Sequence, residues 1–150
     1  MELKFRIAEK KDISQIQYVR NSVKENQLSD PSVVTQEDVW EFISNRGKGW
    51  VCEVHSKVVG FSIVDLKENN VWALFIHPDY EGKGIGNQLH NMMVDWFFEQ
   101  KKDKLWLWTS PETRAEGFYK KKGWKEVGKH GDDEIKFEMT FEDWEKQKMR

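Results

Sequence analysis

Glycines alternate through Gly82-Lys83-Gly84-Ile85-Gly86, and the loop they form joins an apolar run, Val71–His77, to a long segment with apolar side chains at helical spacing. No other feature limits the possible folds as much. Ile85, Leu89, Met92, Met93, Trp96 and Phe97 recur at intervals of three and four, which predicts a helix over Gly84–Gln100 with one buried face. Val71–His77 is short and apolar up to its last residue, as a central strand is. A glycine-rich turn leading from a strand into a helix suits an anion. The first N–H groups of a helix lack carbonyl partners, and the helix dipole makes that end positive. Glycines add positive φ and close approach to the backbone, so the expected guest is a phosphate. The loop is not a P-loop, because no Ser or Thr follows Gly86. It is also a poor dinucleotide fingerprint, since position 87 is Asn and Pro78–Glu81 separate the strand from the first glycine.

The rest of the chain supplies elements to both sides of this unit. Residues 3–7 alternate apolar and charged, as a half-buried strand does. Asp12 reads as a helix N-cap, followed at helical spacing by Ile13, Ile16, Gln17, Val19, Arg20 and Val23. Asn26–Ser32, with Pro31, is turn-rich, and Thr35 with Asp38 forms a capping-box-like pair at the start of a second helix. Asn45–Gly49 predicts a turn; Trp50–His55 and Val58–Asp65 predict a hairpin closed by Ser56-Lys57; Asn69-Asn70 marks the next turn. Leu105–Thr109 is apolar on both faces and predicts an internal strand, and Pro111–Lys122 predicts a short helix stopped by Gly123. Trp124–Val127 and Glu134–Thr140 predict strands around a Gly128–Asp133 loop, with a last helix at Phe141–Lys148. The order β-α-α-β-β-β-α-β-α-β-β predicts an α/β domain (α+β, mixed sheet) with helices on the sheet faces. Without linker or repeat, the expectation is a single domain over residues 1–150, with a core at 3–140 and a helical tail at 141–150.

Residues 71–98 resemble motif A of the GNAT superfamily of N-acetyltransferases. The family reads Gln/Arg-x-x-Gly-x-Gly/Ala after a strand and a hydrophobic-x-Pro-x-Tyr lead-in; here the residues are Ile76-His77-Pro78-Asp79-Tyr80-Glu81-Gly82-Lys83-Gly84-Ile85-Gly86, with Glu81 in place of Gln or Arg. Downstream, Glu112-Thr-Arg-Ala115-Glu-Gly-Phe118-Tyr119-Lys-Lys-Lys-Gly123-Trp124 resembles motif B, with Glu112 in place of Asn. The resemblance implies the GNAT fold and acetyl transfer from acetyl-CoA, as co-substrate, to an amine that attacks the thioester directly. It implies that the backbone of Leu74, Phe75 and Ile76, on a strand splayed from Leu105–Thr109, polarises the thioester carbonyl. It implies further that Gly82, Lys83, Gly84, Ile85, Gly86, Asn87, Glu112 and Phe118 contact the co-substrate. Tyr119 matches the family's acid for the leaving thiolate. A phenol titrates near ~10 and a thiol near ~8.5, so Tyr119 must either donate a hydrogen bond to the thiolate or have its own pKa lowered. No spacing selects a base for the amine among Glu53, His55, Asp65 and His77. Two other readings stay open: a non-catalytic CoA-binding regulatory domain, and a nucleotide-binding α/β domain.

Composition closes several further classes. Charged residues make up 33% of the chain, but eight Trp and nine Phe exclude disorder. Four scattered His without Cys-x-x-Cys or His-x-x-x-His spacing give no metal site. Cys52, the one cysteine, has no internal disulfide partner and sits in an expected strand, so it reads as a buried apolar residue in a reducing, cytoplasmic setting. No stretch approaches the roughly 18 apolar residues of a membrane helix, and Met1–Arg6 has no long apolar run. The net charge of −2 excludes a strongly basic nucleic-acid binder. It hides a distribution: residues 101–125 carry eight Lys and Arg against three Asp and Glu, a local +5 that leaves −7 for the other 125 residues. A basic stretch beside the expected phosphates fits a polyanionic co-substrate, and an acidic remainder, including Asp132-Asp133-Glu134, fits a cationic amine acceptor. The aromatic segment Phe141–Trp144 is a candidate homodimer contact.

Overall fold

Residues 2–28 and 33–149 are described by a computed structural model; the expected turn at Asn26–Ser32, with its Pro31, lies partly outside them. Two compact units divide the chain, Met1–Trp96 and Phe97–Arg150. The first holds β1 (Lys4–Ile7), α1 (Ile13–Ser22), α2 (Gln36–Glu41), β2 (Gly47–Val54), β3 (Lys57–Asp65), β4 (Asn70–Ile76) and all but the last turn of α3 (Ile85–Gln100). The second holds β5 (Leu105–Thr109), α4 (Arg114–Lys121), β6 (Lys125–His130), β7 (Glu134–Met139) and α5 (Phe141–Lys148). The element order is the one the periodicities predict, closing with the expected last helix.

In the first unit β1, β2, β3 and β4 form an antiparallel ladder, with Phe5 opposite Cys52, Trp50 opposite Ser62, and Ser62 opposite Leu74. Alternation sorts the side chains of β3 to two faces. Val58, Phe61 and Ile63 join Ile13, Ile16 and Val19 of α1 and Val39 of α2 in one apolar cluster. On the other face α3 packs closely. A Cβ on Gly60 would stand 2.9 Å from Ile76 and 3.1 Å from Ile85, so the glycine makes room for the start of that helix. One turn on, the Ser62 hydroxyl donates to the Leu89 carbonyl at 3.3 Å. In the second unit β7 lies between β5 and β6, antiparallel to both. Phe141 and Trp144, the candidate dimer contact, pack on Phe98 of their own unit, at 6.1 and 5.5 Å between ring centroids.

Several local expectations need correction. Residues 45–49 do not make a turn: Phe42–Arg46 is a wide helical turn and β2 starts at Gly47. Gly47 and Gly49 are there for close approach, since a Cβ at either would collide with Val64 or Ile43. The hairpin turn is His55-Ser56, one residue earlier than expected, with both residues at positive φ (51° and 66°), the backbone of a tight two-residue hairpin. The next turn is Leu66–Asn69, and Asn70 already belongs to β4. β5 is not apolar-buried on both faces. Trp108 is 39% exposed, and the Lys136 ammonium lies over Trp106 and Trp108 at 5.1 and 6.0 Å. β6 runs on to His130, so the loop expected at Gly128–Asp133 shrinks to three residues.

Asp12 stands at the expected N-cap position of α1, but its side chain makes no capping bond to that helix. Its buried carboxylate takes two 2.8 Å bonds from the Arg6 guanidinium and one of 2.8 Å from the Glu9 N–H. Glu53 accepts from the same guanidinium at 2.9 Å. Burial alone would raise the Asp12 carboxyl, but Arg6 and the Glu9 N–H overcome it and hold it below the usual carboxylate range. The capping box of Thr35 and Asp38 forms as expected, with bonds of 3.1 and 2.9 Å.

Candidate active site

β4 ends in a turn that its own residues brace. The His77 N–H donates to the Val59 carbonyl at 2.8 Å, its Nδ1 accepts from the Asp79 N–H at 3.1 Å, and Pro78 starts a one-turn 3-10 helix through Tyr80. The His77 ring stacks on Tyr18 at 5.8 Å and meets the edge of Tyr80 at 6.1 Å. The chain then reverses through Gly82 (φ 75°) and Gly84 (φ 81°), and a Cβ at either would meet no atom within 4 Å. That is the backbone a phosphate cradle needs: left-handed geometry that L side chains resist, open to approach. Ile85 is buried and pins the start of α3, whose Gln88 N–H bonds the Gly84 carbonyl at 3.2 Å. Ile85 and Gly86 stand in the first turn, where a helix leaves its N–H groups without an intrahelical carbonyl. Gly86 is half-buried; Lys83, Asn87 and Glu81 are exposed. Leu74, Phe75 and Ile76 pair with Ser62, Phe61 and Gly60 and are only half-buried, unlike Val71 and Ala73 earlier in the strand.

The second predicted cluster sits in the other unit. Thr113 caps α4, accepting from the Glu116 N–H at 3.3 Å, and the Glu116 carboxylate accepts from the Glu112 N–H and from Lys120, both at 2.8 Å. Lys120 of the basic run is thereby tied to its own helix. Glu112 is exposed and takes a left-handed backbone, φ 59°. Phe118 is half-buried with its ring 5.3 Å from that of Tyr119. Tyr119 is 6% exposed, packed against Trp124 at 5.5 Å and Phe137 at 6.2 Å. Burial pushes its phenol above the ordinary range. Of the two roles expected for Tyr119, this direction runs against a lowered pKa.

Among the four candidate bases, two carboxylates are already engaged. Glu53 faces Arg6, and Asp65 accepts from Arg46 at 2.7 Å and from the Lys67 N–H at 2.9 Å. His55 lies on the exposed hairpin turn, and His77 caps its own turn as described. The Cys52 thiol is buried and pushed up to about 11, chiefly by desolvation, which leaves no thiolate for nucleophilic work. Among the described residues no group of three or more His, Cys, Asp or Glu is placed to hold a metal ion, and no helix is long and apolar enough to cross a membrane. Sequence reasoning missed a cleft of about 130 Å³ beside α1, lined by Arg20, Gln17, Asn21, Val34 and Trp72 among others. The available signal was a cation at position 20 within the apolar spacing of that helix.

Comparison with known proteins gives this geometry a context. The family model for the acetyltransferase (GNAT) domain matches residues 45–126, more than half of the chain. The chain belongs to the GNAT acetyltransferase family. An uncharacterised N-acetyltransferase of Methanocaldococcus jannaschii is 32% identical over 87 residues, which make up 51% of this chain and 38% of that relative, so the chain spans well under half of it. Solved GNAT structures share the fold across nearly the whole chain. The ribosomal-protein-S18-alanine N-acetyltransferase of Escherichia coli has a TM-score of 0.76 at 14% identity, over 93% of this chain and 94% of its own. The PaiA N-acetyltransferase of Thermoplasma acidophilum, solved in complex with coenzyme A, has a TM-score of 0.78 at 17% identity, over 93% and 99%. The α/β fold expected from the motifs is the GNAT fold, and the matched residues 45–126 include the glycine loop and Tyr119.

Proposed function

We propose that this chain transfers an acetyl group from acetyl-CoA to a primary amine of a small molecule or protein. One observation carries the reading: Gly82 and Gly84, at positive φ with open space where side chains would stand, head α3 in the segment that matches the family. The coenzyme A in the Thermoplasma neighbour supports the same co-substrate here. The backbone at 82–87 binds the pyrophosphate, offering N–H groups and the positive end of α3. Leu74, Phe75 and Ile76 line the thioester, with backbone N–H groups for the developing oxyanion. The amine nitrogen bonds to the acetyl carbon, the C–S bond breaks, and the nitrogen loses a proton to solvent. Tyr119, neutral because buried, donates a hydrogen bond to the departing thiolate, which takes up a proton to leave as free CoA.

Thermal shift of the whole protein with acetyl-CoA, ATP and NAD tests the co-substrate: acetyl-CoA alone should raise the melting temperature, and a rise with ATP or NAD instead sinks the proposal. Thiol release from acetyl-CoA across a panel of amines tests the reaction. Acetyl-CoA binding with no release for any amine would leave a CoA-binding module without activity.

A further inference from the structure

The proposed chemistry leaves Arg20 of α1 without a task, and its surroundings are unusual for a cation. Among the described residues, its Nη1 is the buried side-chain nitrogen or oxygen without a hydrogen-bond partner. Its guanidinium lies on the face of Phe75, with Cζ 4.0 Å from the ring centroid. Arg20 lines the 130 Å³ cleft, whose other walls include Ile16, Val39, Phe61 and Trp72, and Trp72 is held flat by Phe42 at 3.9 Å. Gln17, also on the wall, is committed: its amide donates to the Val34 carbonyl at 2.9 Å. Asn21 and Leu28 line both this cleft and an adjoining one of about 220 Å³. Burial lowers the affinity of Arg20 for its proton, and no carboxylate among the described residues acts against it.

A guanidinium does not deprotonate in proteins, so a desolvated one calls for an anion. Phe75 covers one face, so the donors left for a guest lie on the guanidinium edge away from the buried Nη1. Those donors match the two oxygens of a carboxylate in a bidentate pair. One cation among apolar walls is neutralised by one negative charge, whereas a phosphate dianion would leave a second charge buried. At about 130 Å³, with about 220 Å³ in the adjoining cleft, the space is at the low end of small-molecule pockets, so the guest is small. Phe75 is also the middle residue of the β4 segment assigned to the thioester. We infer that this cleft is the acceptor subsite, and that it takes a small amine bearing a carboxylate, which Arg20 holds, such as a free amino acid with an apolar side chain. The inference rests on the N-acetyltransferase reading above.

The test uses matched probes on the whole protein: L-leucine against L-leucinamide, L-methionine against L-methioninamide, and inorganic phosphate. Binding is read by calorimetry without acetyl-CoA, then thiol release is read with it. The carboxylates should bind about tenfold or more tighter than the amides, the share expected of a charge-assisted pair. Arg20→Lys should keep part of that preference and Arg20→Met should abolish it. Arg20→Met should melt no lower than the parent without ligand, since it removes a buried unpaired charge, whereas a purely structural arginine would cost stability. Equal binding of acid and amide, discrimination that survives Arg20→Met, or phosphate competing as well as leucine overturns the inference. Carboxylates that bind through Arg20 yet release no thiol uphold the recognition and refute the transferase reading on which the acceptor role depends.

Discussion

Replacing Gly84 and Gly117 by alanine should shift stability in opposite directions. Neither residue has an atom within 4 Å of its would-be Cβ, so sterics contribute nothing and the backbone decides. Gly84 stands at φ 81°, where an L side chain costs about 1–2 kcal/mol. Against this, the unfolded chain loses freedom worth about 0.4–1 kcal/mol, leaving Gly84→Ala destabilised by about 1 kcal/mol, or roughly 2–4 °C. Gly117 lies inside α4, where alanine is better than glycine by about 0.5–1 kcal/mol, so its melting temperature should rise by a comparable amount. Differential scanning calorimetry reads both. Repeating the scans with acetyl-CoA separates stability from function. At a concentration 100 times the parent Kd, the ligand adds about 2.7 kcal/mol of stability. A tenfold loss of affinity from a methyl group in the cradle would leave about 1.4 kcal/mol, half the shift, while Gly117→Ala should keep all of it. Two shifts of the same sign, or a Gly84→Ala variant with the full ligand shift, would refute the argument from φ and from the open cradle respectively.

Tyr119→Phe should lower turnover by about 10²-fold and leave acetyl-CoA affinity within about threefold. With its pKa raised by burial, Tyr119 stays protonated beyond its ordinary value near ~10, so the parent's rate should show no loss assignable to this phenol up to about pH 10; a fall there that Tyr119→Phe abolishes would count against it. Asp12→Asn should cost about 3 kcal/mol by leaving part of the Arg6 charge unmatched, seen as a drop of roughly 6–12 °C. Because the Asp12 carboxyl is held below its unfolded value, its contribution is present above about pH 4 and lost as pH falls through the lower folded value, so the variant's urea midpoint should fall less steeply there than the parent's. Glu112→Asn and Glu112→Gly should each raise the melting temperature by relieving a non-glycine residue at φ 59°, and Glu112→Gln should not; equal effects of all three would show the backbone to be unstrained.

What could be read from the sequence follows the range of the interactions involved. α3 and α2 are legible because their signals lie within a few residues: apolar spacing in one, the capping pair of Thr35 and Asp38 in the other. The glycine loop was legible for the same reason, since its function depends on backbone shape set by consecutive residues. Errors gather where one residue type serves two purposes. Gly47 and Gly49 signal a turn, yet they sit in β2, where Gly47 meets the backbone of Val64 on the neighbouring strand β3 and Gly49 meets the Ile43 side chain. Asp12 carries the signal of an N-cap and serves instead as the partner of Arg6, in a network that also takes in Glu53, forty-seven residues on from Arg6. Tyr119 is legible from its motif; its burial depends also on Phe137, which lies outside that motif on β7.

Arg20 shows what such long-range placement adds to the reading of function. In sequence it is one basic residue near the end of an amphipathic helix, where cations favour the dipole and usually meet water. In the fold, Phe75 from β4 and the walls of the cleft take the water from part of its guanidinium, and none of the acidic groups that satisfy Arg6 and Arg46 reaches it. Three arginines of the first unit thus share a chemistry but differ in partner. Arg6 and Arg46 are closed by internal carboxylates, which fixes them as structural. Arg20 has the same appetite for a carboxylate beside the strand assigned to the thioester, so the selectivity of the enzyme for its acceptor should rest on this residue more than on the exposed acidic hairpin at Asp132-Asp133, whose charges are solvated and screened.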